Sequence, residues 1–288
     1  MPALHRFFLP SQGWSVGSEV DLTPLHHQLA RVLRAAPGDR IVLLDGRGSA
    51  YLTEIRAIDR RRAAGLVAEV QPAPPEPALR LTLYQCALKA DKLEWVWQKG
   101  TELGVVRFVP VVSRRTLARP ALFTAKARRW QTIVREAAEQ CQRGAVPVVE
   151  PAVELAAALQ AAQGIKLLPW EAGAGRPGLA AALRALPDGA LAGEISLLIG
   201  PEGGLEEDEV TAAEAAGWQI VSLGSRILRA ETAALAAATL VMAAAGELGA
   251  AATPPAPPQA AGEGRPAMPP NHEPQRPAHE MTPTDQPD

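Results

Sequence analysis

The reading of the chain turns on Ile195-Ser196-Leu197-Leu198-Ile199-Gly200-Pro201-Glu202-Gly203-Gly204-Leu205, which runs directly into Glu206-Glu207-Asp208-Glu209. A short apolar run bounded by glycine has the character of a fully buried strand in a parallel sheet. Carboxylates just after a loop suit the first turn of a helix, where the peptide dipole is positive. The stretch therefore predicts a strand, a tight loop and a helix. In open α/β sheets such loops line the ligand crevice at the carboxyl ends of the strands. The Gly-Lys-Ser/Thr ending of a phosphate loop is absent, and the glycine spacing does not match a dinucleotide fingerprint. An acidic helix start repels phosphate, so a neutral or cationic ligand fits better. An ordinary strand-to-helix turn without a ligand is the plainer alternative.

Working outward, the segment from Leu79 alternates strands with helices. Strands are predicted at 79–88, 106–112, 165–168, 195–200 and 219–223, and helices at 91–103, 122–142, 153–162, 178–186, 206–216 and 230–247. That alternation predicts an α/β domain with a parallel sheet covered on both faces. Residues 1–72 read differently. A strand at 5–9, a helix at 22–35 capped by Asp21 or Thr23, and strands at 40–44, 50–58 and 66–70 suggest a small β-barrel. Asp45-Gly46-Arg47-Gly48 is its hairpin turn. The Pro-rich stretch 71–77 reads as a semi-stiff linker between the two domains. Residues 250–288 hold 11 prolines and no Leu, Ile, Val, Phe, Tyr or Trp, which predicts a disordered tail.

Composition narrows the functional classes. Formal net charge is -2, but the tail alone carries five acids and two arginines, leaving 26 acids against 27 bases in the rest. A nucleic-acid argument must therefore be local. The cysteines Cys86 and Cys141 give no disulfide framework and fit a reducing cytoplasm. Neither a signal-peptide core nor a run of about 18 apolar residues occurs, so no membrane partner is expected. Five histidines, two of them in the tail and His26-His27 adjacent, support no metal site. With no histidine in the α/β domain, a Ser-His-Asp triad is unsupported as well.

Three stretches can carry chemistry. Segment 107–143 has nine basic residues, among them Arg114, Arg115, Arg119, Arg129 and Arg143, against Glu136 and Glu139. A local net charge of +7 points to phosphate contacts with nucleic acid, or else to a solvated arginine-rich helix. The run Leu223-Gly224-Ser225-Arg226-Ile227-Leu228-Arg229-Ala230-Glu231 sets Arg229 and Glu231 on the same sheet edge as Glu202. An arginine there can stabilise developing negative charge, or it can form a structural pair with Glu231. Gln98-Lys99-Gly100-Thr101-Glu102-Leu103-Gly104 ends a helix, with Lys99 and Glu102 as i, i+3 neighbours. Gly173 to Gly178 matches G-x-G-x-x-G, but Pro177 sits inside it and no acidic residue ends the next strand, so a loop is the better reading.

These residues resemble a known family. LLIGPEGGLEEDEV (197–210) followed by LGSRILRAETAAL (223–235) is similar to the RsmE family of ribosomal RNA methyltransferases, which belong to the SPOUT class. VLR at 32–34, LLDGRG at 43–48, QKGTELGV at 98–105, RRW at 128–130 and EAAEQCQR at 136–143 match in order. The resemblance covers about residues 1–248 and implies a PUA-like N-terminal barrel over 1–72, which binds RNA. It also implies a SPOUT domain over 73–249 with a C-terminal trefoil knot, and a homodimer. S-adenosyl-L-methionine is the implied cofactor, and N3 of a uridine in 16S ribosomal RNA of the small subunit is the implied target. Three loops then bind the cofactor: Leu168 to Glu171; Ile199, Gly200, Pro201, Gly203 and Gly204; and Leu223, Gly224, Ser225, Ile227 and Leu228. Arg229 is the implied charge stabiliser, with Glu202 or Glu231 as proton acceptor, while Arg31, Arg34, Arg114, Arg115, Arg129 and Arg143 hold RNA phosphate. Gln28 stands where the family often has histidine, so neither His26 nor His27 is assigned a role. A transfer RNA substrate, or a non-catalytic RNA-binding module on the same scaffold, are the competing readings.

Overall fold

A computed structural model of the chain describes residues 4–11, 13–116, 120–172, 175–187 and 189–249. The expected disordered tail, Arg119 and the first two residues of the glycine motif at 173–178 lie outside these residues.

Residues up to Pro72 build a five-stranded sheet. Its strands are β1 (Arg6–Phe8), β2 (Glu19–Asp21), β3 (Arg40–Leu44), β4 (Ser49–Ile58) and β5 (Ala63–Pro72), in the order β1-β3-β4-β5-β2. β1 joins β3 in parallel and the other pairs are antiparallel. The hairpin turn falls at 45–48, where Asp45 Oδ1 accepts the N–H groups of Arg47 and Ser49. The helix predicted over 22–35 differs. It is a 3-10 turn at Thr23–Leu25 followed by a π-helical segment at Gln28–Leu33. Pro24 sits in the opening turn. The wider winding after it buries Leu29 completely in the barrel core while Val32 stays 65% exposed. Arg34, at φ 53°, ends the segment in the left-handed region.

The second sheet holds β6 (Arg80–Cys86), β7 (Arg107–Val112), β8 (Val148–Val149), β9 (Val153–Glu154), β10 (Ile165–Pro169), β11 (Glu194–Ile199) and β12 (Gln219–Val221). Its order is β12-β10-β11-β6-β7-β8, with β9 also on β7, and every pair is parallel. Side chains alternate as the strand period requires. Leu81, Leu83, Ile195 and Leu197 face helices α1 (Ala90–Glu102), α2 (Pro120–Gln140), α4 (Leu179–Arg184) and α6 (Ala230–Ala244). Tyr84, Cys86, Val109 and Leu198 face α3 (Leu155–Ala161) and α5 (Glu207–Ala215). Both faces are covered, which is why the strands read as continuous apolar runs.

Two glycines in the α1 region are fixed by packing. A Cβ on Gly100 meets Phe108 Cε1 at 2.8 Å, so a residue that costs a helix about 1 kcal/mol is required for α1 to approach β7. Gly104, at φ 96°, stops the helix, and a Cβ there meets Met242 of α6 at 2.6 Å.

The stretch read as a linker is docked. Glu76 accepts from the Gly144 and Ala145 N–H groups (3.0 and 3.1 Å) and pairs with Arg143. A Cβ on Gly144 meets the Pro74 carbonyl at 2.1 Å. The N-terminal sheet is joined to α2 as well. The Phe8 N–H donates to Glu139 of α2 (2.9 Å), and Phe8, Val42 and Leu44 pack on Ala138.

Near the end of the described chain, the loop after β10 grips the end of β12. Trp170 N–H donates to the Val221 carbonyl (3.0 Å), Ser222 N–H to Pro177 (2.9 Å) and Leu179 N–H to Ser222 (2.9 Å). The chain then turns through 223–229 into α6, which lies on the opposite face from α5.

Candidate active site

Three parallel strands, β10, β11 and β12, end side by side, and their following loops meet over the carboxyl edge of the sheet. Two adjoining hollows open there, of about 160 and 80 Å³, sharing Pro169, Glu171, Ile227, Leu228 and Ala233. The larger adds Gly200, Pro201, Glu202, Gly204, Arg229 and Lys92. The smaller is walled by Ser222 to Leu228.

The glycines of the first loop have separate reasons. Gly204 lies at φ 72°, and a Cβ would meet Glu171 Oε1 at 2.1 Å. Its bare backbone lets the β11 and β10 loops touch. Gly203 carries Arg115 against it, and its carbonyl accepts from Arg115 Nη1 (3.0 Å). Gly224, at φ 112°, has nothing within 4 Å of its Cβ position, so it faces the open hollow. Its N–H donates to Ser222 Oγ (3.1 Å). Among the described residues, the N–H groups of Ser225, Arg226, Ile227 and Leu228 donate to no protein acceptor. An exposed loop of free backbone donors beside apolar Leu223, Ile199 and Leu228 can hold the edge and face of a heteroaromatic ring.

Three charged groups meet at the mouth. Lys92, from the first turn of α1 after β6, places Nζ 3.2 Å from Glu202 Oε1 and 3.2 Å from Glu231 Oε1. Its pKa is raised, first by the hydrogen bond to Glu231 and then by that to Glu202, so it stays an ammonium. Arg229 is exposed; its carbonyl accepts from the Ala233 N–H (2.8 Å), and its guanidinium has no hydrogen bond or ion pair among the described residues. Glu231 pairs with Lys92 and not with Arg229.

Other predicted site residues are placed as follows. The Leu168 side chain is fully buried in the core beneath α5, a correction to its expected cofactor contact; Pro169 and Glu171 line the hollow instead. Arg143 is also corrected. It is 9% exposed, and its guanidinium bonds Glu76 and the carbonyls of Thr101 and Val105 (3.0 and 2.7 Å), so it faces no RNA. Arg114 is held by Glu206 and Asp208, which raise its pKa in that order while it lowers that of Asp208. Arg115 reaches Glu206 at 3.4 Å, and Arg129 bonds Glu94 through two contacts of 2.8 and 2.7 Å. Arg31 and Arg34 are exposed and unpaired among the described residues. His26 bonds the Asp59 carbonyl (2.8 Å) within the barrel. No group of metal-ligating side chains occurs among the described residues. Nor is any described helix long and apolar enough to cross a membrane.

Lys92 was not singled out in the sequence. The signal was present in Lys89-Ala90-Asp91-Lys92, a basic helix start after a buried strand, on the same sheet edge as the glycine loops.

Fold and site together define an RNA methyltransferase. Residues 74–242 match the RNA methyltransferase domain family, and residues 26–67 match the RNA methyltransferase PUA domain. The chain belongs to the ribosomal RNA small subunit methyltransferase E family. It is 35% identical to that protein of Synechocystis over 72% of this chain and 67% of the relative. It is 32% identical to that of Bacillus subtilis, over 75% and 86%. The crystal structure of ribosomal RNA small subunit methyltransferase E from Neisseria gonorrhoeae bound to S-adenosyl methionine superposes with a TM-score of 0.74. It is 35% identical and covers 84% of this chain and 98% of its own. A Legionella pneumophila protein in complex with bound SAM gives 0.77 at 28% identity, covering 84% and 98%.

Proposed function

We propose that the chain is an S-adenosylmethionine-dependent methyltransferase that modifies N3 of a uridine in small-subunit ribosomal RNA. The observation that carries this is the hollow at the β10–β12 edge, where free backbone donors and an unpaired Arg229 stand beside the Lys92–Glu202 pair. Relatives at 32–35% identity are named for small-subunit ribosomal RNA rather than transfer RNA.

The residues present fit the cofactor. Gly224 leaves open space where a Cβ would intrude, and the loops at 199–204 and 223–228 supply apolar walls and backbone polar groups. When bound, S-adenosylmethionine supplies a methyl group on a sulfonium. The chain's own task is orientation and charge. Uracil N3 carries a proton and becomes nucleophilic once that proton leaves. Glu202, paired with Lys92 and lining the hollow, is placed to receive it. Glu231 does not line the hollow and acts through Lys92. Negative charge then spreads to the ring carbonyl oxygens, where Arg229 stabilises it. The base must leave any stack to enter, so single-stranded or distorted RNA is the substrate form.

The hydrogen bonds of Trp170, Pro177 and Leu179 to Val221 and Ser222, with α5 and α6 on opposite faces, support a trefoil knot at the end of this domain. The division into a barrel domain to residue 72 and a methyltransferase domain to residue 249 is supported by the separate sheets. Trp95 on α1 and Leu240 on α6 are 44% and 38% exposed on helices that pack together, which supports a second copy covering them. Exposed Arg31 and Arg34 are the RNA-facing residues of the barrel, and the cytoplasm, where ribosomes are built, is the place of action.

The test is nucleoside analysis of small-subunit RNA after incubation with the protein and S-adenosylmethionine. The expected product is 3-methyluridine at one position. Modified nucleosides other than this one overturn the assignment of the atom.

A further inference from the structure

Lys92 and its two carboxylates have a feature that the transfer reaction alone does not require. An ammonium has three N–H donors. Glu202 Oε1 accepts one at 3.2 Å, and Glu231 approaches with both oxygens, at 3.2 and 3.4 Å, which share a second N–H; the third is directed from a side chain that is 26% exposed and lines the hollow. Glu202 uses Oε1 for Lys92, and its Oε2 has no partner among the described residues. The hollow therefore presents a donor and an acceptor side by side, fixed from behind by Glu231, whose side chain is 15% exposed. Arg229 adds a second cation to the same hollow.

Uracil offers a matching edge. Its N3–H is a donor flanked by carbonyl acceptors at O2 and O4. Cytosine carries a lone pair at N3 and an amino donor at N4. Whichever neighbouring group meets Lys92, a carboxylate that would meet N3–H in uracil meets a lone pair in cytosine. A site built to pair with one hydrogen-bond pattern rejects the other strongly, because its own polar groups are left unpaired.

We propose that Lys92 is a specificity-determining residue: with Glu202 it reads a carbonyl oxygen and N3–H of the target uracil and excludes cytosine, and Glu231 is the residue that positions it. The assignment rests on the hollow receiving a uridine.

The experiment uses the full chain and small-subunit RNA carrying either uridine or cytidine at the mapped target. It compares kcat/KM for the two RNAs in wild type, Lys92→Gln, Lys92→Arg and Glu231→Gln. Cofactor affinity is measured by calorimetry, and equilibrium binding of both RNAs in the presence of S-adenosylhomocysteine gives a readout independent of turnover. The uridine-to-cytidine ratio falls at least about tenfold in Lys92→Gln, falls less in Glu231→Gln, and is largely kept in Lys92→Arg, with cofactor affinity within about twofold. A uniform drop in turnover with the ratio unchanged in Lys92→Gln overturns the proposal and leaves Lys92 a structural ion pair. Where Lys92→Gln fails to fold, an unchanged ratio in Glu231→Gln overturns it. A wild-type protein that binds no cofactor and modifies no uridine breaks the underlying reading, and that result appears before any variant is compared.

Discussion

Segment 107–143 and segment 223–231 make opposite use of arginine. The first carries nine basic residues along the chain, yet in space Arg107 meets Glu150, Arg114 meets Glu206 and Asp208, Lys126 and Arg129 meet Glu94, and Arg143 meets Glu76. The second carries few charges, and its Arg229 has no partner among the described residues. Charge counted along a sequence window is not charge presented to a ligand. Carboxylates from distant elements fold onto the basic window, whereas none among the described residues pairs with the Arg229 guanidinium, although Glu202 lines the same hollow. Binding capacity therefore lies where polar groups remain unpaired, not where they are most numerous.

The largest effect that can break this comparison is at the loop wall. Gly204→Val forces a β-branched residue to φ 72° and drives its Cβ into Glu171, a strain on the order of 1–3 kcal/mol. Calorimetry with S-adenosylmethionine is expected to show no binding, while the barrel remains folded by circular dichroism. Arg229→Ala comes next. Removing one stabilising donor cuts turnover by about 10²–10³-fold, with cofactor affinity within about twofold. Equal loss of both places Arg229 in the cofactor wall instead.

Arg143→Ala sharpens the contrast from the other side. Losing a buried partner of Glu76 costs about 3 kcal/mol, read as a lower denaturant midpoint. RNA affinity of the folded protein stays unchanged. Arg31→Ala with Arg34→Ala does the reverse: the midpoint holds, RNA affinity falls, and the salt slope drops by about 0.7–0.9 for each phosphate no longer neutralised. The smallest effect is at the barrel junction. Burial raises the Glu139 carboxyl pKa above its unfolded value. The folded state therefore takes up the proton first, so the ionised carboxylate lowers stability at neutral pH and that cost is relieved as pH falls through the folded value. Glu139→Gln keeps the acceptor for the Phe8 N–H and should flatten this part of the pH dependence of the midpoint.

Much of the fold was legible. The helices α1 to α6 and the strands β6, β7, β10, β11 and β12 fall within a few residues of their predicted spans, because buried parallel strands and amphipathic helices leave strong periodic signals. β8 and β9, two residues each, and the three-residue β2 are too short to show a period. The π-helical winding at Gln28–Leu33 shares its apolar spacing with a regular helix, and only packing separates them. Pro72 to Pro77 has a linker's composition, and its docking depends on Glu76 meeting residues about 70 positions away. The site divides the same way. Glycine, proline and carboxylate in a fixed order marked the loops at 199–204 and 223–231. Lys92 escaped because its meaning comes from Glu231, 139 positions later, and from a sheet order that sets β6 beside β11.

The measurement that bears most directly on the proposed activity is methyl transfer from labelled S-adenosylmethionine to small ribosomal subunits that lack the modification, with large subunits in parallel. The predicted result is label on one uridine of the small-subunit RNA, none on the large subunit, and near-complete loss in Arg229→Ala. Cofactor bound without label on small-subunit RNA would contradict it.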